Sequence, residues 1–374
     1  MAMSIDLILP ALPKIGDFFN LASSNDVQFT IGSLFLGFSF GQIFYGPISD
    51  SIGRKKAILI GYFIFATGTI LCVFAPTFKL IIIGRILQGF GGAAFRICSV
   101  AIVRDKHEGR EMARTMSIIM TIFVLVPVFA PAIGQLIIAF LPWKFIFVFL
   151  FLYTTTATIW MFFRMQETVT ASKKIPLNFA SVIKSFKIVL SDKNAMLYTA
   201  CSGLAFGSMI GYINSAEQIF HNIFNVGNKF ALYFALSAIS IGLSSIFNAL
   251  MVRKFVMKNV VKYAVLTIFF SSILFLAIML FVTISVTIYI IYAMIVFFCF
   301  GLLFGNFNAL AMQKMGRVAG TASSAIGFLS SIVSVSVGTI IGQCFNNTIF
   351  PLVIGFACLS LASFILQHFA ETDL

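Results

Sequence analysis

Twelve stretches of mostly apolar residues divide this sequence, and each is close to the length that crosses a hydrocarbon layer as a helix. They lie near 4–19, 28–49, 57–74, 80–103, 113–139 and 143–163, then 195–221, 229–251, 261–281, 287–312, 320–343 and 350–368. A spanning helix needs roughly 20 residues at 1.5 Å rise each. In lipid every backbone N–H and C=O must find a partner inside the protein, so only helices or a closed barrel can span. Barrel strands would show alternating segments of roughly ten residues. The runs here are continuous and of helix length, which predicts an all-α integral membrane protein.

Composition agrees. Hydrophobic residues make up 60% of the chain and charged residues only 10%, whereas soluble chains carry about 25% charged residues. The six cysteines stand singly in or beside apolar runs, without metal-ligand or redox spacing, and read as small packing residues.

A formal charge of +13 could point to nucleic acid, but its placement points elsewhere. Most Lys and Arg fall in alternate loops: Arg54-Lys55-Lys56, Arg104 to Arg114, Arg164 to Lys193, Arg253 to Lys262, and Lys314 with Arg317. The positive-inside rule makes that side cytoplasmic and places both termini there. The charge is therefore a topology signal, and no nucleic-acid partner is expected. One long polar connection, 164–194, separates the six-span halves 1–163 and 195–374. Within it Phe179, Val182, Ile183 and Phe186 recur at helical spacing with Lys184 and Lys187 on another face, which predicts an interfacial amphipathic helix.

The loop after the second span reads Gly46-Pro47-Ile48-Ser49-Asp50-Ser51-Ile52-Gly53-Arg54-Lys55-Lys56. Gly46 and Gly53 allow close approach and a tight turn. Asp50 can pair with a neighbouring Arg, and the basic cluster anchors the cytoplasmic face. The loop resembles the signature of the major facilitator superfamily, G-x-x-x-D-x-x-G-R-[RK]. Further matches follow. Gly84-Arg85-Ile86-Leu87-Gln88-Gly89 is similar to the R-x-x-x-G element of drug exporters, and Pro127 to Gly134 is similar to the antiporter motif, with Gln135 where many relatives carry a second Gly. Together with Asp6 to Pro13 and Ala319 to Ser324, these resemble the bicyclomycin/chloramphenicol-resistance (Bcr/CflA) branch. The resemblance implies a twelve-span fold of two six-helix halves in a bacterial cytoplasmic membrane. It also implies a monomeric secondary transporter that takes a small-molecule substrate and protons and needs no cofactor.

Ionisable groups inside the bilayer cost about 2.5–3.5 kcal/mol on insertion scales, which makes them the default functional candidates. Here they are Asp6, Arg85, Arg96 and Glu217. Arg85 and Arg96 lie almost three turns apart on one helix face with Gly89 and Gly92. Asp6 is the obvious carboxylate to answer them, so Asp6 is expected to carry the coupled proton and Arg85 to modulate it. Arg96 is expected to meet a backbone or phosphate-like group. Glu217 lies near a span end and reads as an outward-facing carboxylate in the headgroup region, with a second proton site or a selector for cationic drugs as the alternative. Gln88, Arg96, Tyr212, Asn214, Glu217, Asn306 and Asn308 are the candidates for the substrate path, and polar residues in spans equally make helix-to-helix hydrogen bonds. The first span is short, about 16 residues interrupted by Pro10, Pro13, Lys14 and Asp17, and looks cut at its N-terminal end; that shortness is expected to leave Asp6 wetter.

Small-residue stripes suit helices that slide. The eleventh span places Gly320, Ser324, Gly327, Ser331, Ser334 and Gly338 on one line, and the fifth puts Pro127, Pro131 and Gly134 on one face. Rocking of two halves about a midplane site would give alternating access. The leading expectation is proton-coupled efflux of drug-like molecules or metabolites. Uptake or facilitated transport, and a transport-incompetent sensor, are the alternatives. With only His107, His221 and His368 and no nucleophile elbow, an enzyme is not expected.

Overall fold

The structure, a computed structural model, describes residues 1–169, 179–315 and 319–371. The middle of the expected linker, 170–178, and Arg317 lie outside the described residues. The first segment departs from the expected single helix. It is broken into α1 (Ala2–Asp6), a 3-10 turn (Leu9–Ala11) and α2 (Leu12–Phe18). Pro10 and Pro13 account for this, since neither offers an N–H and each favours the start of a new helical piece.

The remaining helices are α3 (Phe29–Ile52), α4 (Arg54–Val73), α5 (Phe78–Lys106), α6 (Gly109–Phe140) and α7 (Phe145–Arg164), then α8 (Phe179–Ser191). They continue with α9 (Lys193–Gln218), α10 (Phe230–Lys254), α11 (Met257–Phe281), α12 (Val286–Met312), α13 (Ala319–Gln343) and α14 (Phe350–Glu371). Among the described residues ten helices are long and apolar enough to cross a membrane, and α6 contributes a shorter apolar stretch, Leu125–Phe140. Phe63, Trp160, Phe163, Phe270 and Phe281 are exposed, as side chains facing acyl chains should be. Local chemistry sets several boundaries. Asp192 caps α9 by accepting from the Ala195 N–H at 2.7 Å, and Ser285 caps α12 by accepting from the Ile288 N–H at 3.4 Å. α6 runs unbroken through Pro127 and Pro131, which leaves the carbonyls of Phe123 and Pro127 without their intrahelical donors.

Contacts group the chain into two compact units. One comprises Met1–Val126, Ile133–Lys187 and Gly320–Phe328; the other comprises Pro127–Ala132, Ile188–Ala319 and Leu329–Leu374. In the first, α3 and α4 both pack on α5; in the second, α9 and α11 pack on α12 and α14, and α10 on α12. Backbone meets backbone at these contacts. A Cβ on Gly89 would overlap the Leu34 carbonyl oxygen, and one on Gly37 would overlap that of Ile86. In hydrocarbon, where lipid is as apolar as leucine, close van der Waals approach of this kind drives helix association.

The eleventh-span stripe is divided between two neighbours. Low on α13, the Gly327 carbonyl accepts from Gln42 at 3.4 Å within the first unit. Higher up, Ser334 donates to the Gly203 carbonyl at 3.0 Å, and a Cβ on Gly338 would strike Ile210 within the second.

Candidate functional site

Close packing of α3, α4 and α5 encloses a polar cluster around Arg85, which is 0% exposed. Its Nε donates to the Thr30 carbonyl at 2.9 Å and its Nη1 to Gln88 Oε1 at 2.9 Å. Gln88 Nε2 in turn donates to Thr69 Oγ1 at 2.8 Å, while Arg85 Nη2 has no hydrogen-bond partner. Asp6 is not part of this cluster. The expected Asp6–Arg85 pair is corrected: the guanidinium is answered by the Thr30 carbonyl of α3 and by the Gln88 amide one turn along α5. Gln88 is fully buried, holds Arg85 and joins α5 to Thr69 of α4, the helix-to-helix bonding that the sequence equally allowed.

Asp6 ends α1 at 3% exposure, so the expectation of a wetter carboxylate is overturned. The segment after it is clamped from several sides. Leu7 to Leu9 are fully buried, and the Leu7 carbonyl lies where a Cβ on Gly134 of α6 would fall. Farther along, Lys14 Nζ donates to the Ile138 carbonyl of α6 at 2.8 Å. Gly134 thus serves a backbone-close crossing of α6 over the first segment. Among the described residues the Asp6 carboxylate has neither a hydrogen bond nor an ion pair. Arg96 is exposed on α5, with its guanidinium 5.6 Å from the Phe38 ring centre, an aromatic face that suits a cation.

At the junction of α3 and α4, the signature loop forms a charged knot. Gly53 stands between α3 and α4 with φ +104°, a region that favours glycine. Arg54 forms an ion pair with Asp50, donates to Ser49 Oγ at 2.7 Å, and reaches Asp105 at the end of α5 at 3.0 Å. Glu167, beyond the end of α7, caps α4 from a distance: Oε1 accepts from the Arg54 N–H at 2.9 Å and Oε2 from the Lys55 N–H at 3.1 Å. A carboxylate there suits both the orphan donors and the positive end of the helix dipole. Thr168 closes the ring by donating to Asp105 Oδ2 at 2.7 Å, and Lys55 lies 4.4 Å over the Phe162 ring. On the other face of this loop, a Cβ on Gly46 would come 3.0 Å from Ser324 Oγ.

Sequence reasoning assigned Asp50 and Arg54 but missed Asp105 and Glu167 as partners. The available signal was scarcity: the chain has only 12 Asp and Glu, and both of these stand in strongly basic stretches between spans. A Cβ on Gly53 would overlap the Glu167 carboxylate. Gly53→Ala is therefore expected to displace that cap and strain φ at once. Both Gly53→Ala and Glu167→Ala should lower the thermal midpoint by roughly 2–5 °C, and the double variant should fall short of the sum. Strict additivity in a thermal-shift assay would show that the two residues do not share this cap.

The path residues of the second unit separate into bonded and unbonded groups. The Tyr212 hydroxyl is 3.0 Å from Ser237 Oγ, and its ring lies 4.5 Å from that of Phe297. Asn306 donates to Asn248 Oδ1 at 2.7 Å, joining α12 to α10, whereas Asn308 is exposed. Asn214 and Glu217 lie one turn apart on α9, and Glu217 is 7% exposed. Its expected place in the headgroup region is corrected, because the end of α9 is covered by packing despite being near a span terminus.

Residues 1–339 match the sequence profile of the Major Facilitator Superfamily. The chain belongs to this superfamily. Similar major facilitator proteins include the uncharacterized MFS-type transporter YdgK of Bacillus subtilis (strain 168), 28% identical with 91% of this chain and 85% of the relative covered. The bicyclomycin resistance protein homolog of Haemophilus influenzae is 26% identical over 98% of this chain and 92% of its own length. The multidrug resistance protein MdtL of Escherichia coli is 30% identical over 45% of this chain and 43% of the relative. Among solved structures, the human organic anion transporter MFSD10 (TETRAN) superposes with a TM-score of 0.66 at 18% identity, covering 99% of this chain and 95% of that one, which shows the shared fold. The protein is thus a multi-pass membrane transporter of the major facilitator superfamily with drug-resistance relatives, a family that handles small molecules and is generally not enzymatic.

Proposed function

We propose that this major facilitator protein exports drug-like molecules or small metabolites across a bacterial cytoplasmic membrane in exchange for protons. It works as a monomer, with both termini in the cytoplasm and no cofactor. The observation that carries this reading is Asp6, a carboxylate buried to 3% exposure without a bonded partner. A carboxyl group in such a place is free to bind and release a proton as its surroundings change between open states. The Arg54–Asp50–Asp105 knot supports the same cycle as a latch that forms in one state and breaks in another. The two halves rock about a midplane site, and the resistance names of two relatives favour the outward direction. Gln135 in place of the second antiporter glycine favours uptake as the second reading. Inverted membrane vesicles separate the two. Export predicts that an acid interior drives drug accumulation in the lumen, collapsed by a protonophore; gradient-driven loss from the lumen would establish uptake instead.

A further inference from the structure

α3 and α4 each pack on α5 more than on each other, and they part where they join. The gap is an open groove of about 520 Å³, lined by Ser51 and Ile52 of α3 and by Lys56, Leu59 and Ile60 of α4. That volume falls within the roughly 300–1,000 Å³ of small-ligand sites. Lys56, Leu59 and Ile60 stand at i, i+3 and i+4, so they share one face of α4.

The polar mouth of the groove has no protein partner. Among the described residues neither the Ser51 hydroxyl nor the Lys56 ammonium holds a hydrogen bond or an ion pair. The charges nearest in sequence are engaged elsewhere. Asp50 and Arg54 pair with each other, Lys55 lies over the Phe162 ring, and Glu167 accepts from the Arg54 and Lys55 N–H groups. Lys56 is left without a counter-charge.

Beyond Lys56 its face of α4 becomes an apolar track. Ile60, Phe63, Thr67, Ile70 and Phe74 follow at helical spacing, and all are exposed. Thr67 returns its hydroxyl to the Phe63 carbonyl at 2.9 Å, as a polar group facing hydrocarbon must. Ser51 does not, which suits a hydroxyl at the level of the headgroups. One cation at the head of an apolar stripe matches the two parts of a phospholipid, and the bilayer supplies that partner at this height. A soluble anion would answer Lys56 and leave Leu59 and Ile60 uncovered. A zwitterionic headgroup brings its own cation against Lys56, so a net negative one is favoured. We propose that this groove binds an anionic phospholipid, with its phosphate on Lys56 and Ser51 and an acyl chain along Ile60 and Phe63. The lipid ties the end of α3 to the start of α4, whichever way the transporter runs.

The test is native mass spectrometry of the purified, delipidated full chain, with phosphatidylglycerol and phosphatidylcholine of matched acyl chains in competition. The wild-type chain should retain phosphatidylglycerol about fivefold over phosphatidylcholine, and Lys56→Gln should erase that preference. Lys56→Arg should keep most of it, and Lys79→Gln, at an exposed lysine outside the groove, should keep all of it. Ser51→Ala should lower it about twofold with no change of charge, and stands in should Lys56→Gln fail to fold by thermal melting. Equal retention of both lipids by the wild type, a preference that survives Lys56→Gln, or the same loss in Lys79→Gln gives the groove to ordinary annular lipid and overturns the proposal. Displacement of the lipid by inorganic phosphate overturns it too, as does a lipid-free dimer that Lys56→Gln dissociates.

Discussion

Asp6→Asn is expected to abolish proton-driven export while leaving substrate exchange intact. In inverted vesicles energised to an acid interior, drug accumulation should fall to the level of membranes lacking the protein. Counterflow of labelled for unlabelled substrate at equal pH should stay within about twofold, because an amide fills the same buried space and only the exchangeable proton is lost. The surroundings of Asp6 support this separation. The carboxyl sits at the end of α1 beside fully buried Leu7, Ile8 and Leu9, and no hydrogen bond to another side chain fixes it. Full gradient-driven efflux by the Asn variant would place the coupled proton elsewhere. Glu217 would then be the next carboxylate to test.

The second large effect is on folding and discriminates between neighbours on one helix. Gly89→Ala should leave little monodisperse protein, since its Cβ would overlap the Leu34 carbonyl oxygen and lie 2.8 Å from Phe38 N, both of them backbone. Backbone cannot rotate away as a side chain can, so α3 and α5 must separate along their shared contact. Overpacking of this kind costs about 3 kcal/mol or more. Gly92→Ala, three residues on, meets nothing nearer than the Met1 and Phe65 side chains at 3.8 Å and should be close to neutral. Size-exclusion profiles and thermal midpoints of the pair decide it. Equal behaviour of the two variants would mean that this close crossing does not hold the first unit together. Loss of the contact should also free Arg85 Nε from the Thr30 carbonyl of α3, whereas Gln88, on α5 itself, stays in reach.

The features legible in the sequence are those that repeat locally. Apolar runs marked the spans because each backbone hydrogen bond of a spanning helix closes within its own segment. Gly53 and Arg54 were readable because turn geometry and the Asp50 pairing act across a few residues. Glu167 was not, because its role is a carboxylate delivered to the start of α4 from 112 residues away in sequence. The Asp6–Arg85 pairing failed for a related reason. Charge and helix face are written in the sequence, but the depth at which two helices cross is set by Gly37 and Gly89, and that crossing gave Arg85 other partners. Glu217 shows the limit of reading position along a helix, since distance to a span end says nothing about what packs over it.

The length of α5 carries one more consequence. Its 29 residues extend to about 44 Å, well beyond the roughly 30 Å of hydrocarbon, and Asp105 stands in its last turn. The knot around Arg54 therefore sits in reach of dissolved ions, and its two arms differ in shelter. The Asp105 side chain is 22% exposed and the Asp50 side chain 42%. Dissolved salt, with a Debye length of about 8 Å at 0.15 M, screens the more exposed arm first. Ionic strength thus becomes a quiet input to how firmly the ends of α3, α4 and α5 are held together, loosening Asp50 while Asp105 keeps its grip.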